Sequence, residues 1–181
     1  MEELDSVTLN KAICGDNKAF RALYDHYSPY IWRLLFRMTG NKPLAEELLQ
    51  ETFIRVHAAL RKFKGDSLFS TWIYRIAHNA VLMNYRQHKK FKCHDPFEDQ
   101  VASESHTDNY LNKQFISKVL AELSIEDRFL LVAREIDGLS FEEISLIYRT
   151  SAGTLRTRLS RLKDNIRNRF AETSFEKEAV A

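Results

Sequence analysis

Gly138-Leu-Ser-Phe-Glu-Glu-Ile-Ser-Leu-Ile-Tyr-Arg-Thr-Ser-Ala-Gly-Thr-Leu-Arg-Thr-Arg-Leu-Ser-Arg-Leu-Lys163 is the stretch that decides the fold. Ser140 with Glu143 three residues on is a capping box, so a helix opens at Phe141 and is expected to run to Ile147. After a tight turn Ser151 starts a longer helix, with Leu155, Leu159, Leu162, Ile166 and Phe170 directed inward at spacings of three and four. A short capped helix, a turn and a longer helix with basic flanks spell a helix-turn-helix. In that motif the first helix braces the second, whose N-terminal turns enter the major groove. Ser151 and Thr154 are short polar groups at that N-terminus, where backbone N–H groups attract phosphate. Arg156, Arg158 and Arg161 can reach guanine edges or phosphates. The alternative is a helical hairpin with a solvated basic face.

Upstream, a helix is expected from Glu126 to Ile136, closed by Gly138, and another from Tyr110 to Leu123 with Phe115, Val119, Leu120 and Leu123 as its stripe. From Cys93 to about Asp108 the periodicity vanishes, and Asp95-Pro96, Ser103, Ser105 and Thr107 read as loop formers. A structureless stretch of this length marks a domain boundary. N-terminal to it lie three expected helices. The first long one is capped by Asp16, carries Phe20, Leu23, Tyr24, Tyr27, Ile31, Leu34, Leu35 and Met38 as one stripe, and ends at Gly40. Pro29 predicts a kink or break near Ser28. The second opens at Pro43, carries Leu49, Phe53, Val56 and Leu60 inward, and stops at Lys64-Gly65-Asp66-Ser67. The third runs from about Ser70 to Lys90 on Ile73, Ile76, Ala77 and Ala80. The expected fold is all-α: two small helical domains, 1–92 and 113–172, joined by a flexible acidic linker, 93–112, with a frayed tail over 173–181.

Composition agrees. Among 181 residues, 44% hydrophobic and 29% charged, there are 5 Gly and 3 Pro, too few turn formers for a β-rich fold of this length. No apolar run is long enough to span a bilayer, and Met1-Glu-Glu-Leu-Asp5 does not read as a secretory signal. Cys14 and Cys93 make no disulfide framework, so a reducing, cytoplasmic setting is expected, with Cys14 in the core. The net charge of +2 hides a pattern. Residues 1–92 hold 15 Lys/Arg against 9 Asp/Glu, residues 93–112 hold 5 acids and no Lys or Arg, and residues 149–169 hold 7 basic residues against Asp164 alone. Two basic modules around an acidic connector suggest contact with a polyanion at two places.

Two further stretches carry functional signals. Along Leu44-Ala-Glu-Glu-Leu-Leu-Gln-Glu-Thr-Phe-Ile-Arg-Val56, the face opposite the core holds Glu47, Gln50, Glu51, Ile54 and Arg55. An isoleucine on a polar outer face hints at a protein interface. Along Phe69-Ser-Thr-Trp-Ile-Tyr-Arg-Ile-Ala-His-Asn-Ala-Val-Leu-Met-Asn-Tyr-Arg86, helical spacing puts Trp72, Arg75, Asn79 and Arg86 on one face. Aromatics beside Arg and Asn suit unstacked single-stranded bases, although the same pattern fits core aromatics with polar edges. Catalytic words are missing: there is no phosphate-binding Gly-rich loop and no His-Glu-x-x-His. Cys93-His94 lacks the paired Cys-x-x-Cys of a zinc site, so neither metal nor cofactor is expected.

Taken in order, Ala45–Val56, Phe69–Asn79, Asp137–Ile144 and Gly153–Leu159 resemble the sigma-70-type transcription initiation factors, specifically the small extracytoplasmic-function subfamily. The likeness covers nearly the whole chain except the linker and tail. Two departures stand out: Ser124-Ile125 replaces the family's usual Leu-Pro, and Tyr148-Arg149 its usual Leu-Gly. The resemblance implies a non-enzymatic subunit that binds core RNA polymerase and directs promoter recognition, DNA opening and transcription initiation. It implies contact with a coiled coil of the largest polymerase subunit through Glu47, Gln50, Glu51, Ile54 and Arg55. Minus-ten DNA would fall to Lys64, Ser67, Phe69, Trp72, Arg75, Asn79 and Arg86. Minus-thirty-five DNA would fall to Ser151, Thr154, Arg156, Thr157, Arg158, Ser160 and Arg161. The C-terminal domain would also touch the flap of the second-largest subunit, and the family suggests an inhibitory anti-sigma factor as a further partner. The competing expectation is a stand-alone helix-turn-helix regulator that binds DNA as a dimer without polymerase.

Overall fold

A computed structural model describes residues 3–90 and 116–178, with side chains over 3–87 and 116–169. The expected linker, Cys93, His94, Tyr110, Phe115 and the side chains of Lys89, Lys90 and Phe170 lie outside the described residues. Among the described residues, all regular structure is helical.

The N-terminal module begins with α1 (Ser6–Ile13), where the Asp5 carboxylate accepts from Thr8 N at 2.8 Å. This helix was not expected. Its signal was Asp5 ahead of Leu9, Ala12 and Ile13, of which Ala12 is buried. Cys14 caps the end of α1 and is exposed, against the expected core position; Ala12 fills the inward place. α2 (Asn17–Thr39) is capped by Asp16, which accepts from Lys18 N and Ala19 N, and it ends at Gly40 with φ 63°. Of the kink or break expected near Ser28, the break does not occur: α2 runs through Pro29. An interior proline costs roughly 3 kcal/mol. The fully buried Tyr27 and Ile31 beside it offset that, at about 1.5–3 kcal/mol for a large buried side chain.

α3 (Lys42–Ala59) starts at the Asn41 cap, has Pro43 in its first turn, and buries Ala45, Leu48, Phe53 and Val56. After a single 3₁₀ turn (Leu60–Lys62) and the Lys64–Leu68 loop, α4 (Phe69–Lys90) closes the bundle. Ile73, Ala77 and Ala80 are fully buried, while Ile76 is only partly so.

In the C-terminal module, α5 is described over residues 116–122. Ser124 caps α6 (Ile125–Leu131), which continues as a π-helical turn (Val132–Ile136) to Gly138 at φ 74°. The capping box is present: Ser140 accepts from Glu143 N, and Glu143 accepts from Ser140 N, opening α7 (Phe141–Tyr148). α8 (Ala152–Glu178) continues past the expected end near Glu172. No Gly or Pro interrupts it there, and Ala171, Glu172, Glu176 and Lys177 favour helix.

The modules meet along a seam between α4, the end of α2, and α6–α7. Arg128, only 6% exposed, donates to Leu120 O (2.7 Å), Ala121 O and Leu123 O (3.3 Å each) and, across the seam, Met38 O (2.6 Å). One guanidinium thereby satisfies the carbonyls that a helix end leaves open. Asp137 accepts from Arg37 Nη1 at 2.7 Å and from the Tyr74 hydroxyl. Thr71 donates to Glu143 at 3.3 Å. His78 sits against Phe129 and Tyr148, with centroids 4.0 and 5.1 Å away. Both of its buried ring nitrogens lack a hydrogen-bond partner.

Candidate nucleic-acid and polymerase interfaces

The helix-turn-helix is built from the turn outward. Arg149 ends α7 in the left-handed region, φ 54° and ψ 41°. Glycine takes that conformation freely, whereas a side chain costs roughly 1–2 kcal/mol. Tyr148 anchors the turn, its hydroxyl donating to Glu126 O at 2.6 Å, and burial pushes its phenol pKa up. Ser151 Oγ accepts from Thr154 N at 3.1 Å and pairs with the Thr154 hydroxyl. These contacts set the first turn of α8 so that Thr154, Arg156, Thr157, Ser160 and Arg161 are exposed while Leu155, Leu159 and Leu162 face the core.

Two of the expected DNA-reading arginines hold intramolecular partners. Arg156 lies 3.0 Å from Glu142 with its guanidinium 5.2 Å from the Phe141 ring centroid, and it stays more than half exposed. Arg158 turns toward α6, donating to Asp127 at 2.7 Å and Glu126 at 3.2 Å. Its position ties α8 to α6, away from Arg156.

On α3, Glu47, Gln50 and Ile54 are exposed. Ile54 shows 69% of its surface, an unusual exposure for an isoleucine on a helix otherwise apolar only inward. Glu51 and Arg55 form an i, i+4 ion pair at 2.5 Å, and Arg55 Nη1 reaches Met83 Sδ on α4 at 3.4 Å. The five expected residues share one face.

On α4 and its preceding loop, Lys64, Asn79 and Arg86 are exposed and Ser67, Trp72 and Arg75 half-buried. Phe69 does not join them. It is 1% exposed, enclosed by Tyr27, Phe63 and Trp72, so its ring belongs to the core and its assignment to minus-ten DNA is corrected accordingly. Leu68 (53% exposed) and Met83 (43%) are exposed apolar side chains at the start and along the length of α4, outside the expected set. The signal for Leu68 was an apolar residue at the end of a polar loop. At the loop mouth, Glu3 accepts from Phe69 N and Ser70 N at 3.1 and 3.0 Å.

A third surface is a groove of about 400 Å³ on the C-terminal module, lined by Ile116, Val119, Leu131, Ile136 and Ile166. Among the described residues, no group of three His, Cys, Asp or Glu is placed to hold a metal. No described helix is long and apolar enough to cross a membrane.

The family description Sigma-70 region 2 matches residues 23–91, and Sigma-70, region 4 matches residues 116–166. The chain belongs to the sigma-70 family. An ECF RNA polymerase sigma-E factor of Salmonella typhimurium is 31% identical over 91% of this chain and 93% of its own length, as is the protein of that name from Escherichia coli. That likeness places the chain in the extracytoplasmic-function subfamily. RNA polymerase sigma-H factor of Pseudomonas aeruginosa is 28% identical over the same shares. Among solved structures, CnrH in complex with the cytosolic domain of CnrY superposes with a TM-score of 0.71 at 19% identity, over 92% of this chain and 96% of that one. The sigma factor RpoE from Bartonella quintana, solved with the anti-sigma factor NepR, gives 0.70 at 22% identity, over 83% and 96%. These two share the two-module helical fold. As a sigma factor the chain binds RNA polymerase and directs promoter recognition, DNA opening and initiation; the stand-alone regulator is disfavoured.

Proposed function

We propose how the faces divide that work. The outer face of α3, Glu47, Gln50, Glu51, Ile54 and Arg55, docks on the largest polymerase subunit. The α4 face, Trp72, Arg75, Asn79 and Arg86 with Lys64 and Ser67, captures the opened minus-ten strand. Ser151, Thr154, Arg156, Thr157, Ser160 and Arg161 read the minus-thirty-five duplex, while Arg158 braces their helix. The groove at Ile116 and Ile136 receives the flap of the second-largest subunit. Residues 1–92 and 113–172 act as the two DNA-reading domains and 93–112 as their connector. The factor works in the cytoplasm, without enzymatic activity of its own, and is restrained by an anti-sigma protein, as the Bartonella neighbour solved with NepR suggests.

The observation that carries this reading is Ile54: a mostly exposed isoleucine flanked by an ordered ion pair, on the helix face turned from the core. The seam adds a consequence. The two promoter elements lie about 25 base pairs apart, roughly 85 Å at 3.4 Å per base pair. With His78 of α4 packed against Tyr148 of the helix-turn-helix, the modules cannot reach both elements, so polymerase binding opens the seam. Reconstitution with core polymerase on a promoter library tests the reading. Initiation from a defined promoter class supports it. Tight site-specific gel shifts by the pure chain, with no gain from core polymerase, would overturn it.

A further inference from the structure

α4 carries the proposed strand-capturing face, yet nothing local caps its start. The residue before Phe69 is Leu68, whose side chain accepts no hydrogen bond, and Ser67 Oγ donates to Leu68 O at 3.1 Å and leaves the helix end free. The first N–H groups of a helix need acceptors and favour negative charge. Here the acceptor comes from 66 residues away: Glu3 Oε2 takes Phe69 N and Oε1 takes Ser70 N. Such charge-assisted bonds to a carboxylate are stronger than neutral ones. The segment that delivers Glu3 is pinned on both sides. Leu4 N donates to the Tyr27 hydroxyl at 3.0 Å, and Asp5 caps α1. Tyr27 is fully buried, its ring 5.2 Å from that of Phe69, and burial raises its pKa to about 12.

We infer that Glu3 is a positioning residue for promoter opening: its carboxylate fixes the backbone between Ser67 and Ser70 and so presents Ser67 and the exposed Leu68 at the start of the strand-capturing face. This rests on the assignment of the α4 face to the minus-ten strand. Glu3 touches no DNA in this scheme. It acts through the loop, and it is the reason an N-terminal segment remote in sequence packs beneath the capture site.

The test compares Glu3→Ala and Glu3→Gln with the parent in the full chain. Amide hydrogen exchange in the free protein reads the cap directly. Phe69 and Ser70 amides should exchange at least tenfold faster in Glu3→Ala, with Glu3→Gln between, while the amides of α2 and α3 stay as protected as in the parent. In holoenzyme, permanganate reactivity of unpaired thymines should fall about fivefold or more in Glu3→Ala at unchanged core-polymerase affinity, with partial rescue by Glu3→Gln. Faster exchange with undiminished opening would overturn the inference, as would unchanged exchange, or a loss spread over the whole bundle and over polymerase binding alike. If the parent holoenzyme itself opens no promoter, the α4 assignment fails, and the exchange data alone still judge the cap.

Discussion

Inside the N-terminal bundle, contact is apolar and closed: Leu23, Tyr27, Ile31, Leu34, Leu35, Ile73 and Ala77 are all at 0% exposure. Across the seam, contact is polar and aromatic: Arg37 and Asp137 pair part-exposed, while Tyr74 on Asp137, Thr71 on Glu143 and His78 among the rings of Phe129 and Tyr148 are buried. The first kind of surface loses most of its free energy if parted, because every apolar atom returns to water. The second kind exchanges protein hydrogen bonds for water hydrogen bonds at a net cost of about 0.5–1.5 kcal/mol each, and adds the smaller apolar cost of exposing a few rings, Phe129, Tyr74 and His78. A chain that must stay folded while its halves separate needs both kinds, in these two places.

The comparison predicts unequal consequences. Leu35→Ala should be the most damaging, about 2–5 kcal/mol through the cavity it leaves, read as a large fall in Tm and loss of the N-terminal module's amide protection. Asp137→Ala removes the acceptor shared by Arg37 and Tyr74 and should weaken the seam by about 1–3 kcal/mol. Energy transfer between dyes on the two modules should drop while each module's own Tm holds. A Tm loss as large as that of Leu35→Ala would mean the seam is core.

The seam should also respond to pH through His78. Burial, aided by the charge of Arg86, holds its imidazole pKa down to about 4 from 6.5. The folded seam therefore binds fewer protons than the open state between those values. The penalty is absent above pH 6.5, grows as pH falls, and is complete near 4. At pH 5 it reaches roughly 2 kcal/mol at 1.36 kcal/mol per pKa unit. Dye separation should rise between pH 7 and 5, and His78→Phe should flatten that response; a parent chain equally closed at both pH values would sink the point. The smallest effect is Arg149→Gly, which relieves the left-handed strain at the turn. Since glycine also gains entropy in the unfolded chain, the net gain should be within about 1 kcal/mol, a small rise in the C-terminal module's Tm.

Much of this architecture was legible because the signals were local. Asp16, Pro43 and Ser140 with Glu143 announce helix starts through their own side-chain chemistry, and the inward leucines of α8 follow a period any helix obeys; the Asn41 cap ahead of Pro43 emerges only in the structure. The helix-turn-helix could be read even though Arg149 stands at its glycine position, since capping and period do not depend on that one φ. What stayed hidden was long-range. Glu3 meets Phe69 across 66 positions and Arg37 meets Asp137 across 100, pairings that no spacing encodes. Phe69 looked available to DNA because it opens a helix beside a loop, and only the aromatic cluster of Tyr27, Phe63 and Trp72 shows that it is enclosed. Arg158 looked like its neighbours Arg156 and Arg161 until Glu126 and Asp127 were found facing it.

The most direct test of the account is the distance between the modules before and after polymerase binds. Dyes placed on exposed Cys14 of α1 and on an Asn165→Cys variant of α8, with Cys93 replaced by Ser, report that distance in single molecules. The account predicts a short distance in the free chain and an increase of several tens of ångströms, toward the roughly 85 Å that separates the promoter elements, when core polymerase and promoter are added. A transcribing complex in which the distance stays as short as in the free chain would contradict it.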